Sequence, residues 1–377
     1  MTTYLGILIA SFLITYFATP VIQALALRVG ALDLPSERKI HSRVTPRLGG
    51  LAVFIGFWAA FLLGLGVNDK FREAFLEPIW GIFLGSLLLV VIGVYDDIKG
   101  ASPQLKFPFQ VTAALIAFYF GIRFMLLSDI FHIFTSEPSV FKLTYWTSLF
   151  FTLLWIVGIT NAMNFVDGID ALAGGLSFIA AVTLFIVALN LEQYFFASLY
   201  VALIGATAGF GNYNKYPAKI FLGDTGSTFL GFVLACVSVL ACHKSTALGS
   251  LLIPIVALGI PISDTGYAVI RRYLLGRSLF KADKGHLHHR LLEMGYTPKE
   301  VVWIIYILSI ALSLGVFFLI NAHSEFASLV VGMMTIAALL VASKLRLLDF
   351  EAWSKPLDSQ KENPKDHSKG DSCGEGE

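Results

Sequence analysis

A bilayer's hydrocarbon core, about 30 Å thick, is crossed by about 20 residues of α-helix. Apolar runs of roughly that length recur along most of this 377-residue chain, at 4–27, 48–66, 79–95, 108–122, 145–160, 172–189, 194–210, 227–241, 248–270, 301–320 and 326–342. Backbone groups in lipid must be hydrogen-bonded within their own segment, so these runs read as about eleven transmembrane helices. The composition agrees: 56% of residues are hydrophobic and 14% charged, with mean hydropathy +0.74, which excludes an ordinary soluble domain. The expected fold is an all-α polytopic membrane protein over residues 1–345. Residues 346–377 form a polar tail without apolar periodicity, expected to be disordered. The first run lacks a basic stretch before it and reads as a span, not a cleavable signal. The net charge of +1 gives no sign of nucleic acid, and no such partner is expected; Cys236, Cys242 and Cys373 have no metal-binding spacing.

Orientation follows from the Lys and Arg positions. Of the 27, 22 fall in the alternate loops that follow the first, third, fifth, seventh and ninth runs, or after the last run. That side is cytoplasmic, with the N-terminus outside and the C-terminus inside.

The unusual polar segments all lie on that same side. They are RKIHSRVTPRLGG (38–50), YDDIKGASPQLKF (95–107), NAMNFVDGIDALAGG (161–175), NYNKYPAKIFLGDTGS (212–227) and DKGHLHHRL (283–291). Asp96 and Asp97 stand at the C-terminal end of a span, where the helix dipole disfavours anions. Two adjacent carboxylates there call for a cation, and Mg²⁺ prefers oxygen ligands and bridges carboxylates to phosphates. In GDTGS, Asp224, Thr225 and Ser227 can act as helix caps, while the open backbone at Gly223 and Gly226 also suits phosphate at a helix N-terminus. His286, His288, His289 and Arg290 lack the partners of a zinc site and suit a diphosphate better. In NAMNFVDGID the polar residues recur every third position. Such a row drifts about 60° per step on an α-helix, so the segment is expected to break, with Asp167 and Asp170 near the start of the next span and Asn161 left to structure. Carboxylates for a metal, cations for phosphate and a site at the lipid boundary together suggest phosphoryl transfer from a water-soluble donor to a lipid.

These five motifs, in this order, resemble the polyprenyl-phosphate N-acetylhexosamine-1-phosphate transferases. The resemblance covers roughly residues 1–345. It implies that a polyprenyl phosphate attacks the β-phosphorus of a UDP-N-acetylhexosamine, releasing UMP, with Mg²⁺ required and Mn²⁺ as a possible substitute. It also implies roles. Asp224 resembles the principal Mg²⁺ ligand, Asp96 and Asp97 the acidic pair near the lipid phosphate, and Lys106 a lysine beside that pair. Asn164 and Asp167 resemble an Asn-x-x-Asp pair in the catalytic cleft. Gly168, Ile169 and Asp170 resemble the uracil-contacting segment, Phe221 the residue that stacks on the base and Asn214 a nucleoside contact. His286, His288, His289 and Arg290 resemble the loop at the diphosphate and sugar. The His-x-His-His form points to UDP-GlcNAc as donor, with other UDP-hexosamines as alternatives, and a bacterial source would make the acceptor undecaprenyl phosphate. Members of the family are often homodimers. A transporter is the rival reading, but it needs access from both faces, and here the polar groups gather on one.

Overall fold

The computed structural model describes residues 2–34, 43–67, 76–128, 140–243, 252–274, 276 and 285–321. The expected last span, 326–342, and the polar tail lie outside the described residues. So do Arg277, Lys281 and Lys284, which precede the histidines in sequence.

Twelve helices are present among the described residues: α1 (Thr2–Val29), α2 (Gly49–Val67), α3 (Leu76–Lys99), α4 (Pro103–Tyr119), α5 (Tyr145–Val166), α6 (Leu172–Asn190), α7 (Tyr194–Asn214), α8 (Gly223–His243), α9 (Leu252–Ala257), α10 (Gly259–Leu274), α11 (Leu287–Glu293) and α12 (Pro298–Asn321). Eight of these are long and apolar enough to cross a membrane: α1, α2, α3, α5, α6, α7, α8 and α12. The protein is an all-helical membrane protein. Its only strands among the described residues are two short antiparallel pairs, β1 (Leu32–Asp33) with β2 (Thr45–Pro46), and β3 (Leu126–Ser128) with β4 (Val140–Lys142).

Two expected spans take a different form. The run at 108–122 belongs to α4, a 17-residue helix that starts earlier, at Pro103, with the Ser102 hydroxyl capping the Leu105 N–H. At 1.5 Å per residue it is about 26 Å long. The run at 248–270 is interrupted at Leu258, between α9 and α10. Pro261 explains the break, because its ring opposes the carbonyl four residues earlier, at Ala257, where α9 ends.

α7 and α8 form the buried centre. α7 packs against α1, α2 and α6, and α8 against α3, α5 and α2. Without a hydrophobic drive between helices in lipid, close approach relies on small residues. In the GATAG stretch of α7, a Cβ on Gly205 or Gly209 would sit 2.5 Å from the main-chain oxygens of Leu8 or Phe12. Those two glycines let α1 lie directly on α7. The outer faces stay apolar, as Leu5, Leu13, Phe17 and Val21 on α1 show. Trp80, Tyr119, Tyr145, Trp146 and Tyr194 are exposed at the helix ends remote from the polar segments, where amphipathic rings suit a membrane–water boundary.

Candidate active site

α3 runs one turn past its apolar stretch to Lys99, and α8 begins at Gly223. Asp96 and Asp97 therefore meet the first turn of α8. The Asp97 carboxylate, buried, accepts from the Asp224 N–H at 3.0 Å and the Thr225 N–H at 3.1 Å, and from the Thr225 hydroxyl at 2.6 Å. It thus satisfies N–H groups that a helix start leaves without intrahelical partners. Gly223 has φ +75° and a Cβ there would run into this carboxylate, so both space and conformation demand glycine. Asp96 accepts from the Ala101 N–H and lies 3.2 Å from Lys106 Nζ. Lys106 also pairs with Asp224. Oxygen atoms of Asp96, Asp97 and Asp224 all lie within 4.8 Å of one another. An all-oxygen set of three carboxylates suits a hard divalent cation, and the cluster could hold a metal ion.

The TPRLGG segment docks on the chain just before α8. Phe221 N–H donates to Pro46 O at 2.8 Å, and Gly49 and Gly50 N–H donate to Phe221 O and Leu222 O at 3.0 and 2.8 Å. A Cβ on Gly50 would overlap the backbone of Gly226.

The break expected in NAMNFVDGIDALAGG lies between Val166 and Leu172. Asn164 is still helical and donates to Ser227 Oγ on α8 at 2.9 Å. Asp167 caps the end of α5. Asp170 accepts from the Ala218 N–H at 2.9 Å. Ala171, in the left-handed region at φ 68°, is held by two contacts: its N–H donates to Asn214 Oδ1 at 3.0 Å and its carbonyl accepts from the Tyr306 hydroxyl. The other end of the Asn214 amide donates to Ile220 O at 3.0 Å. Asn161 serves structure, bonding Gln110 Oε1 and Val157 O, each at 2.8 Å.

The histidines divide. His286, buried, has Nδ1 2.9 Å from Asp264 Oδ2, and Asp264 Oδ1 accepts from the Leu287 N–H at 2.7 Å. Its ring lies 5.5 Å from that of Phe165. His288 is buried, with no hydrogen-bond partner at Nε2, and packs where a Cβ on Gly168 would stand. Burial pushes its pKa from 6.5 down to about 3, with His289 adding to the shift, so it is a neutral imidazole wedged behind the 167–171 turn. His289 lines the central cavity. The Arg290 N–H donates to His286 O at 3.2 Å within α11, and its side chain is half-buried.

That cavity, ≈ 310 Å³, is lined by Asp33, Arg47, Asp167, Gly168, Ile169, Asp170, Asn214, Tyr216, Phe221, Leu222, Gly223, Asp224, His289 and Pro298. Nine residues singled out from sequence thus line one cavity: Asp167, Gly168, Ile169, Asp170, Asn214, Phe221, Gly223, Asp224 and His289. Asp224 belongs both to the cavity and to the carboxylate cluster, where Asp96, Asp97 and Lys106 stand. The Asp167 carboxyl titrates well above the usual carboxylate range, chiefly through burial and next through the charges of Asp224 and Asp97, while Arg47 opposes the rise.

A family model described as glycosyl transferase family 4 matches residues 79–242, from α3 through α8. The chain is 39% identical over 315 residues, 83% of its length, to a Bacillus subtilis protein named "probable undecaprenyl-phosphate N-acetylglucosaminyl 1-phosphate transferase", of which it covers 84%. The chain belongs to the polyprenyl-phosphate N-acetylhexosamine-1-phosphate transferase family. A decaprenyl-phosphate N-acetylglucosaminephosphotransferase of Mycobacterium tuberculosis is 35% identical over 78% of this chain and 77% of its own. The undecaprenyl-phosphate α-N-acetylglucosaminyl 1-phosphate transferase of Escherichia coli is 29% identical over 79% of this chain and 78% of its own.

For this family member, three residues at or behind the cavity had no role in the sequence reading. Arg47 and Asp33 line the cavity as an ion pair at 2.9 Å. Arg47 sat inside a motif, TPRLGG, but its partner is 14 residues away with nothing in the spacing to link them. Asp264, which anchors the histidine loop of this transferase, lies in an apolar run that masks it. Its one signal is being a carboxylate there at all, which is costly in a membrane segment.

Proposed function

We propose that this protein transfers N-acetylglucosamine 1-phosphate from UDP-GlcNAc to undecaprenyl phosphate at the cytoplasmic face of the cell membrane. The observation that carries the reading is the position of Asp224, shared between the 310 Å³ cavity and the Asp96–Asp97–Asp224 cluster. A nucleotide in the cavity would then present its diphosphate at the carboxylates. The relatives' names, all of which join a polyprenyl phosphate to N-acetylglucosamine phosphate, support that group and a polyprenyl-phosphate acceptor.

In the reaction an oxygen of the lipid phosphate attacks the β-phosphorus of the donor. The bond from that phosphorus to the bridging oxygen breaks, and its electron pair leaves with UMP. The product is undecaprenyl-diphospho-GlcNAc, the first lipid-linked unit of an envelope glycan. Chemistry of this kind asks the protein mainly to position groups and balance charge. Phe221 would stack on the base and the 168–170 turn would hold the uracil edge. Asn214 would hold that turn against the chain before α8, through its two main-chain bonds. Asn164 would fix the first turn of α8 through Ser227. Lys106 would keep the Asp96 and Asp224 carboxylates together. His289 and Arg290 would address the sugar phosphate, with His286 and His288 setting their loop.

Mg²⁺, with Mn²⁺ as a substitute, fits the three carboxylates and would supply charge neutralisation on the diphosphate. The surplus of Lys and Arg on the polar side supports the cytoplasmic placement, with the N-terminus outside.

The test is UMP release by the purified protein given undecaprenyl phosphate, Mg²⁺ and either UDP-GlcNAc or UDP-GalNAc. UMP with UDP-GlcNAc supports the reading. UMP with UDP-GalNAc alone would move the donor to the epimer, and none with any UDP-hexosamine would sink the transferase assignment.

A further inference from the structure

Arg47 is mounted with more care than a surface arginine. Its N–H donates to Ala31 O at 2.9 Å, and Pro46 before it accepts from Phe221 N–H at 2.8 Å. The β1–β2 pairing sets Thr45 opposite Asp33. The side chain is fixed too: Nη2 lies 2.9 Å from Asp33 Oδ1, with the Asp33 side chain 10% and that of Arg47 33% exposed. Backbone and guanidinium are therefore both held before any ligand arrives.

The charges around the cavity give that mounting a purpose. Among the described residues, four carboxylates line it, on Asp33, Asp167, Asp170 and Asp224, against one guanidinium, that of Arg47. Among the described residues, His289 is the other lining side chain that can carry positive charge. Arg47 also acts on the lining residue Asp167, where its charge works against the rise of the carboxyl. An anionic ligand entering a wall this acidic needs a cation of the protein's own. A guanidinium carries five N–H donors, so a bond to Asp33 through one nitrogen leaves donor capacity for an anion. Its planar fork also matches phosphate oxygens in pairs.

We propose that Arg47 is a phosphate-binding residue of the nucleotide cavity and that Asp33 is the positioning residue that aims it. The assignment rests on the reading above, in which the cavity takes a uridine nucleotide. It adds a protein-borne contact to the phosphate end, separate from the carboxylate cluster. Because Asp33 already holds the fork, little side-chain freedom is lost when the ligand binds.

Binding of UMP and of uridine to the purified full chain separates the phosphate contact from the base contact. Calorimetry on wild type, R47Q, R47K and D33N is the experiment. R47Q is expected to lose about 10- to 100-fold in UMP affinity, the usual range for a charged hydrogen bond, and nothing for uridine. R47K keeps the charge without the fork and should fall between R47Q and wild type. D33N should weaken UMP less than R47Q does, and the D33N/R47Q double variant should bind UMP no worse than R47Q. In turnover, R47Q should raise KM for UDP-GlcNAc and leave KM for undecaprenyl phosphate unchanged. Unchanged UMP binding in R47Q, or equal losses for UMP and uridine, would overturn the assignment. Should R47Q not fold once the Arg47–Asp33 ion pair is lost, R47K and the double variant, which removes both charges, carry the same comparison. Wild-type protein that releases no UMP from any UDP-hexosamine would instead refute the donor reading itself.

Discussion

Asp97 and Thr225 are joined twice: one carboxylate oxygen of Asp97 takes the Thr225 hydroxyl at 2.6 Å and the Thr225 N–H at 3.1 Å. Its other oxygen takes the Asp224 N–H at 3.0 Å. A carboxylate at the end of α3 thus caps the start of α8, and the two neighbouring aspartates have different surroundings. Asp97 is committed to the helix start, while Asp96 faces Lys106.

That division predicts different costs. Asp97→Asn loses acceptor capacity at a buried site where three donors converge, and should destabilise the protein by about 1–3 kcal/mol as well as lower activity. Asp96→Asn should abolish UMP release with little change in Tm. Thermal unfolding in detergent beside the turnover assay distinguishes them; equal stability for the two variants would refute the capping role of Asp97.

Lys106 bonds Asp96 at 3.2 Å and also pairs with Asp224. A cation bound by those carboxylates competes with it electrostatically. Lys106→Met should therefore tighten metal binding while lowering turnover. Mn²⁺ titration followed by electron paramagnetic resonance checks the first half, and weaker Mn²⁺ binding in the variant would contradict it.

His288 predicts a pH dependence of stability. Its folded pKa is lowered, from 6.5 to about 3, so the folded state binds fewer protons than the unfolded state between those values. Its contribution to stability is full above pH 6.5 and is lost as pH falls toward 3. His288→Gln removes the titrating group and should flatten the decline in Tm between pH 6.5 and 4. An unchanged slope would show that His288 is not buried as a neutral ring.

Asp264 receives both His286 and the Leu287 N–H. Asp264→Ala leaves these buried partners without an acceptor, at a cost of about 1–3 kcal/mol each, and frees the loop that brings His289 to the cavity. Turnover should fall while uridine binding, proposed for Phe221 and the 168–170 turn, is affected less. Loss of uridine binding to the same degree would mean that Asp264 supports the whole cavity and not the histidine loop.

What could be read in advance follows from the range of each interaction. Lipid demands about 20 apolar residues per helix, so α1, α2 and α5–α8 stood out in the sequence as runs. The break at Asp167–Ala171 was legible because polar residues every third position cannot share one helix face. The kink at Leu258 was not, since two prolines and three glycines inside a long apolar run did not outweigh its hydropathy. Nor were the Asp264–His286 and Asp33–Arg47 pairs, because partners 22 and 14 residues apart meet only once helices and strands are packed. The histidines show the same limit. Three adjacent imidazoles looked equivalent in sequence, yet packing buries His286 and His288 and turns only His289 to the cavity.

The central claim is that the donor is cut between its two phosphates, so that the phosphate travels with the sugar. UDP-GlcNAc labelled with ³²P at the β-phosphorus tests it directly, with purified protein, undecaprenyl phosphate and Mg²⁺. The account predicts that the label moves into the lipid fraction and that unlabelled UMP appears in equal amount. Label retained in the aqueous phase as UDP, with unlabelled sugar on the lipid, would show transfer of the sugar alone and contradict it.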